Sequence, residues 1–156
     1  MDWVARLIYG ALVKREQRRA KAASLGWEPK DASDRSRHLN VGSRGETLAY
    51  WYLRHAGYVI VARNRRPHSR SGELDIVGWD GPVLAFIEVK TRTGEEAGHP
   101  ESAVGHSQQR RIIRSAQEYM RGLKRMPAAY RFDIASVLWD SAAGFQVRVI
   151  KDAFRD

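Results

Sequence analysis

Hydrophobic residues recur along the chain with two periods, one typical of helices and the other of strands. Helical spacing is present in three segments, residues 2–23, 43–57 and 107–123. Strand-like apolar runs are present in five segments, residues 58–64, 72–79, 82–92, 130–139 and 144–150. Because the central hairpin is apolar on both faces, the pattern predicts an α/β fold with a mixed sheet covered by helices on both sides.

Three predicted regions divide the chain. Residues 1–23 form an N-terminal amphipathic basic helix, in which an apolar stripe precedes a cluster of lysines and arginines. Residues 24–42 have weak periodicity and many turn-forming residues, which predicts a linker. Residues 43–156 make one compact domain. We expect the N-terminal helix to pack on this domain, while docking of residues 2–23 on an anionic membrane surface, self-association and DNA binding stay open.

Composition narrows the class of protein. The 156 residues suit a single domain, and the absence of cysteine excludes disulfides and thiolate zinc sites. No apolar run approaches the roughly 20 residues of a membrane span, and Arg6 interrupts the first apolar stretch, so we expect a cytoplasmic protein. A formal charge of +9 and a pI of 10.2 favour a polyanionic partner, with nucleic acid ahead of an anionic membrane.

The most hydrophobic hairpin of the sequence also contains charged residues. They are Glu73, Asp75, Glu88 and Lys90. The dipeptide Asp80-Gly81 predicts a two-residue turn. That turn puts Asp75 opposite Phe86 and diagonal to Glu88. Because residues two apart on a strand share a face, Asp75, Glu88 and Lys90 then lie on one side of the sheet, with Glu73 near its end. A three-residue loop would separate the two acids.

This predicted crowding of Asp75 and Glu88 needs compensation. Two carboxylates about 4–5 Å apart repel by roughly 3–4 kcal/mol at an effective dielectric constant near 20. Lys90 offsets part of the repulsion, and Mg²⁺ or Mn²⁺, which prefer hard oxygen ligands, would offset more. The competing interpretation is an exposed cross-strand Glu/Lys pair, which the apolar neighbours of Asp75 disfavour.

Two further acids have more than one interpretation. Glu46 is at helical spacing with core-facing residues and could join the same site, but the sequence Ser43-x-x-Glu46 also suits a capping box at a helix start. The two roles of Glu46 are compatible, and both remain open. Asp133 is predicted to pair with Arg131, or to join a turn, rather than to act in catalysis.

Two groups of arginines suit phosphate binding. The first group precedes the hairpin and consists of Arg63, Arg65, Arg66 and Arg70. The second group lies on the predicted helix 107–123 and consists of Arg110, Arg111 and Arg114. The alternative is that both groups are simply solvated. Because no zinc finger or module that reads base edges is evident, we expect recognition of DNA by backbone and shape, as for branched or single-stranded substrates.

Several short motifs resemble one known family, the YraN family of bacterial proteins. They are "GE" (45–46), "RN" (63–64), "GELDIV" (72–77), "FIEVKTR" (86–92), "RFDI" (131–134) and "IKDAF" (150–154). They occur in the family's order over about residues 42–154. The family is similar to the restriction-endonuclease-like superfamily, so the resemblance implies a three-layer α/β/α core with a PD-(D/E)xK nuclease site.

The resemblance also implies roles for individual residues. Asp75 matches the first acid, Glu88-Val89-Lys90 matches the (D/E)xK element, and Glu46 matches a helix glutamate found in resolvase-like members. In such enzymes the acids and the carbonyl of the residue at Val89 hold Mg²⁺, and the lysine positions water or stabilises charge on the phosphate. Gln108 departs from the pattern, because relatives often carry lysine there.

Two functions from different classes follow from these observations. The first is a Mg²⁺-dependent endonuclease-type phosphodiesterase acting on DNA. The second is a non-catalytic nucleic-acid-binding or adaptor module with the same fold and basic surface. Intact acids and an intact lysine in the motif favour the nuclease.

Overall fold

A computed structural model describes residues 2–24, 34–66, 72–93, 104–140 and 144–156. It contains three helices and five strands: α1 (Trp3–Ser24), α2 (Asp34–His55), β1 (Val59–Arg65), β2 (Leu74–Asp80), β3 (Val83–Thr93), α3 (His106–Arg121), β4 (Ala129–Asp140) and β5 (Gly144–Phe154). The order of elements confirms the predicted one.

The five strands form one mixed sheet in the order β1-β2-β3-β4-β5. Strands β3 and β4 are parallel and are connected through α3, while the other neighbouring pairs are antiparallel. Alternation along β3 divides the core, since Ala85 and Ile87 pack with residues of α2, whereas Leu84 and Phe86 pack with residues of α3. The sheet therefore lies between two helices, which confirms the three-layer α/β/α arrangement.

Helix α2 begins earlier than the sequence pattern predicts. Its first residue is Asp34, so residues 34–42, which were predicted to belong to the linker, are helical. Once the packed turns around Leu48 and Leu53 exist, extending the helix adds one hydrogen bond for each residue ordered. The cost of Gly42 within the helix, about 1 kcal/mol, is not enough to end it. Residues 25–33 of the predicted linker lie outside the described residues.

Helix α1 packs on the domain, as expected. Ala5 is fully buried, and the ring of Tyr9 contacts Tyr52 of α2 and Phe145 of β5 at centroid distances of 5.6 and 6.3 Å. Within the described ranges, neither α1 nor any other helix has both the length and the apolar character needed to cross a bilayer.

One charged side chain of α1 is buried in this contact. Glu16 is 1% exposed and forms an ion pair with Arg44 of α2. The guanidinium carbon of Arg44 also lies 4.9 Å from the ring centroid of Trp139. The attachment of α1 therefore includes a buried charge pair as well as apolar contacts.

The turn between β2 and β3 differs from the predicted one. Asp80 pairs with Val83 as a strand residue, so the two loop residues are Gly81 and Pro82. Gly81 has a φ of +59°, and proline fixes a negative φ at the second loop position, which together suit a type II′ turn. The predicted Asp80-Gly81 turn is wrong because it would place Pro82, which has no N–H, in the hydrogen-bonded ladder.

Candidate functional site

Strands β2 and β3 bring Asp75 and Glu88 to the same end of the hairpin. The paired positions end at Ile76 and Ile87, so continuing the register by one residue sets Asp75 opposite Glu88. The predicted partner of Asp75, Phe86, instead faces Val77. This difference amounts to two residues, so the faces of the paired positions are those predicted, and the two acids lie near enough for the charge of Glu88 to raise the pKa of Asp75.

The carboxylate of Asp75 accepts a hydrogen bond from the backbone of the neighbouring strand. The N–H of Val89 donates to Oδ2 of Asp75 at 2.8 Å. A side chain thus takes the bond that a main-chain carbonyl accepts in a regular ladder. The bond holds Asp75 against the Glu88-Val89-Lys90 segment.

Glu88 is held by two donors on the same oxygen. The side chain is buried, with 7% of the residue exposed. Its Oε1 accepts from Nζ of Lys90 at 2.9 Å and from Nε2 of Gln108 at 2.6 Å. Lys90 reaches Glu88 because residues two apart on a strand share a face, and Gln108 reaches it from α3. The carboxylate therefore has a fixed orientation.

The electrostatic surroundings of Asp75 favour its neutral form. The pKa of Asp75 is raised to about 7, mainly by burial and then by the charges of Glu88 and Glu46, against the opposing effects of the Val89 N–H and Lys90. Near neutral pH the site therefore carries more negative charge than its protein neighbours stabilise. A bound cation would relieve this repulsion.

Glu46 approaches the site because Gly45 allows α2 to lie close to β3. A Cβ atom at Gly45 would overlap the side chain of Thr91 on β3. The capping-box interpretation of Glu46 is wrong, since Ser43 and Glu46 lie inside α2, and the carbonyl of Ser43 accepts a hydrogen bond from the Thr47 hydroxyl at 3.0 Å. The early start of the helix thus removes the alternative that the sequence left open.

The site suits a metal that needs few protein ligands. Among the residues that the structure describes, no three His, Asp or Glu side chains are close enough to form a ready-made metal site. Mg²⁺, however, is commonly held by one or two carboxylates together with water and substrate phosphate. Asp75 and Glu88 supply two such carboxylates, each with one oxygen already oriented by a hydrogen bond. These donors fit the ion.

The first arginine group lies along and after β1. Arg63 is exposed, and its guanidinium carbon lies 4.3 Å from the ring centroid of Tyr50. Arg66 pairs with Glu73 at 3.1 Å, so Glu73 is engaged there. Arg65 is exposed, and Arg70 lies outside the described residues.

The second arginine group forms an exposed flank of α3 close to the site. Arg110, Arg111 and Arg114 are all exposed. A Cβ atom at Gly72 would lie 3.6 Å from the Cβ of Arg111, so this arginine borders the entry into β2. Gln108 lies one turn before Arg111 on the same helix.

Gln108 is the site residue that sequence reasoning did not place. It was noted only as a departure from lysine, yet it contacts Glu88 directly. A signal was present, because Gln108 precedes the core residue Ile112 by four positions and so shares its inward face.

Two other acids, Asp80 at the turn of the hairpin and Asp133 on β4, are neutralised by the protein itself. Nε of Arg131 donates to both oxygens of Asp133 at 2.9 and 3.0 Å, which confirms the predicted pairing. Arg131 and Lys151 both donate to Oδ2 of Asp80 at 2.6 Å and hold the pKa of Asp80 below its usual value. These acids have a structural role.

Comparisons with known proteins match the part of the chain that holds the site. The uncharacterised protein family UPF0102 matches residues 45–137. A UPF0102 protein of Koribacter versatilis is 43% identical over 121 residues, covering 78% of this chain and 83% of the relative. A UPF0102 protein of Symbiobacterium thermophilum is 43% identical over 114 residues, covering 73% and 95%. The match begins at Gly45, so α1 lies outside it.

Proposed function

This chain belongs to the uncharacterised protein family UPF0102, the YraN family, and from its own site we propose that it is a Mg²⁺-dependent nuclease that hydrolyses phosphodiester bonds of DNA. The observation that carries the proposal is that half-buried Asp75 lies close to buried Glu88 and Lys90, where desolvation and the charge of Glu88 raise the pKa of Asp75. Such perturbed carboxylates are typical of functional sites.

The proposed roles follow from the contacts. Asp75, Glu88 and the carbonyl of Val89 would hold the ion, and Glu46 of α2 would be a further acid near it. When bound, Mg²⁺ or Mn²⁺ would neutralise the phosphate and acidify water. Lys90 donates to the phosphate or orients the attacking water, and its bond to Glu88 keeps its ammonium at the site.

Gln108 supports the proposed site from α3. Its amide and the ammonium of Lys90 both donate to Oε1 of Glu88, and together they would orient this carboxylate for binding an ion. A carboxylate held in this way loses less freedom when it binds a metal.

The arginines supply the proposed contacts with DNA. We propose that both groups bind phosphates, and their members are Arg63, Arg65, Arg66 and Arg70 from the first group and Arg110, Arg111 and Arg114 from the second. Phosphate contacts position the substrate without reading sequence, so branched or single-stranded DNA is the proposed substrate class and binding weakens steeply with salt. We place this activity in the cytoplasm, where chromosomal DNA is found.

A cleavage assay tests the proposal. Duplex, single-stranded and branched DNA are incubated with Mg²⁺, Mn²⁺ or a chelator. We expect metal-dependent cleavage by the wild type and a loss of at least ~100-fold in Asp75→Asn and Lys90→Ala, with low-salt DNA binding retained. Asp80→Asn is the matched control, since this acid lies at the opposite end of the hairpin and should leave cleavage intact.

Two outcomes would contradict the nuclease. If the wild type binds DNA but cleaves none of the substrates with either metal, the chain is a non-catalytic nucleic-acid-binding or adaptor module. If both variants cleave as fast as the wild type, the reaction does not use this site.

A further inference from the structure

The solvent-facing side of α1 carries an apolar end followed by a basic end. We call its five residues the outer stripe: Trp3, Leu7, Lys14, Arg18 and Lys21. Their spacings of three, four and seven place them on one side of a helix. Trp3 is 70% exposed and Leu7 is 63% exposed, and the three basic residues are also exposed. The helical rise makes the stripe about 27 Å long.

The opposite side of α1 fixes the outer stripe in place. Ala5 and Glu16 are buried, and Leu12 packs against the core on the α2 side of the sheet. Two acids form ion pairs with arginines of α2: Glu16 of α1 pairs with Arg44, and Asp2, which directly precedes α1, pairs with Arg54. The outer stripe thus presents apolar and cationic groups on a rigid support.

We propose that the outer stripe docks onto an anionic membrane surface, with α1 parallel to the bilayer plane. Trp3 and Leu7 would enter the boundary between headgroups and acyl chains, a region that tryptophan favours. Lys14, Arg18 and Lys21 would lie over anionic headgroups, each basic residue adding attraction. This inference does not depend on the nuclease site, because the outer stripe uses none of the site residues and α1 lies outside the residues that the family model matches.

Charge and exposure together select lipid over two other partners. DNA would attract the basic residues but gives no reason for exposing Trp3 and Leu7 next to them. A second copy of the chain would cover those apolar residues but would bring Lys14 and Arg18 towards a surface of the same sign, on a protein of net charge +9. An anionic bilayer satisfies both parts of the outer stripe.

Sedimentation of the full chain with lipid vesicles tests the proposal. One set of vesicles is pure phosphatidylcholine, and the other contains about 30 mol % phosphatidylglycerol. We expect binding to the anionic vesicles, little binding to the neutral ones, and release at about 0.5 M salt. The double variants Trp3→Glu/Leu7→Glu and Lys14→Glu/Arg18→Glu should each weaken binding about tenfold or more.

Matched controls are available outside α1. Met126→Glu replaces another apolar residue, which is 59% exposed, and Lys124→Glu/Arg125→Glu reverses two exposed charges beside it. Both controls should bind anionic vesicles like the wild type. Since all replaced residues are solvent-exposed, thermal unfolding should confirm that each variant stays folded.

Three outcomes would overturn the proposal. One is equal vesicle binding by the wild type and the Trp3→Glu/Leu7→Glu variant. Another is absent vesicle binding together with a dimer that the same variant dissociates, which would identify a second copy as the partner. The third is absent vesicle binding together with DNA affinity that Lys14→Glu/Arg18→Glu alone removes.

Discussion

Replacing Asp75 by asparagine removes a half-buried carboxylate whose charge the protein compensates only in part. The pKa of Asp75 is raised from 3.8 to about 7, first by burial and then by the charge of Glu88. The folded protein therefore binds this proton more tightly than the unfolded chain does. The wild type loses the corresponding stability as the pH rises through the window between about pH 4 and pH 7. Asparagine cannot ionise, and its side-chain oxygen can still accept the N–H of Val89.

The size of the effect follows from the pKa. A difference of roughly three pH units, at about 1.4 kcal/mol for each, makes Asp75→Asn more stable than the wild type by about 4 kcal/mol at pH 8. At about pH 4 the gain falls below about 1 kcal/mol, since the carboxyl is protonated in the folded protein. For a chain of 156 residues, about 4 kcal/mol corresponds to a rise in Tm of roughly 8–15 °C.

Urea unfolding at the two pH values, in the presence of a chelator, measures this difference. Asp80→Asn is the control with the opposite sign: hydrogen bonds from Lys151 and Arg131 lower the pKa of Asp80, so its loss should destabilise the protein at pH 8. The reasoning is refuted if Asp75→Asn is no more stable than the wild type at pH 8, or if its advantage is the same at both pH values.

Two further substitutions test how the helices support the site. Gly45→Ala should lower the free energy of unfolding in urea by about 1–3 kcal/mol, because the added Cβ would overlap β3. Gly42→Ala is the control in the same helix and should be neutral or stabilising, since its Cβ meets open space. Equal effects of the two substitutions would contradict this reasoning. Gln108→Ala should raise the Mg²⁺ concentration needed for the proposed cleavage about 10-fold or more, because Glu88 loses a hydrogen-bond donor. Gln109→Ala is the control and should leave this concentration unchanged, since the amide of Gln109 donates to the Val104 carbonyl instead. Unchanged Mg²⁺ dependence in Gln108→Ala would contradict the prediction.

The elements could be predicted from the sequence where periodicity is strong. The apolar run in residues 82–92 reflects a strand buried on both faces, and the helical spacing in residues 107–123 reflects a helix buried on one face; the structure agrees with both. The start of α2 at Asp34 could not be predicted in this way. The first turns of α2 carry no apolar stripe. They are helical because they extend the later turns of the same helix, which pack on the core through Leu48 and Leu53.

The faces of the paired strand residues were predictable although the turn was not. The dipeptide Asp80-Gly81 is a strong local turn signal, but Pro82 has no N–H, and the loop consists of Gly81 and Pro82 instead. The partner of each paired residue changes by two positions, so residues such as Val77 and Phe86 keep their predicted faces. The contact between Gln108 and Glu88 was harder to predict, since it depends on how the connection between two parallel strands seats α3 on the sheet.

The two ends of the central hairpin are under different evolutionary constraints. Asp80 at the turn, together with Asp133 on β4, stabilises the fold through Arg131, so selection for folding alone is sufficient to retain both acids. At the other end, Asp75 opposes folding at neutral pH, so selection for folding alone would favour an uncharged residue there. A protein that retains an acid at position 75 therefore gives up stability that an asparagine would restore.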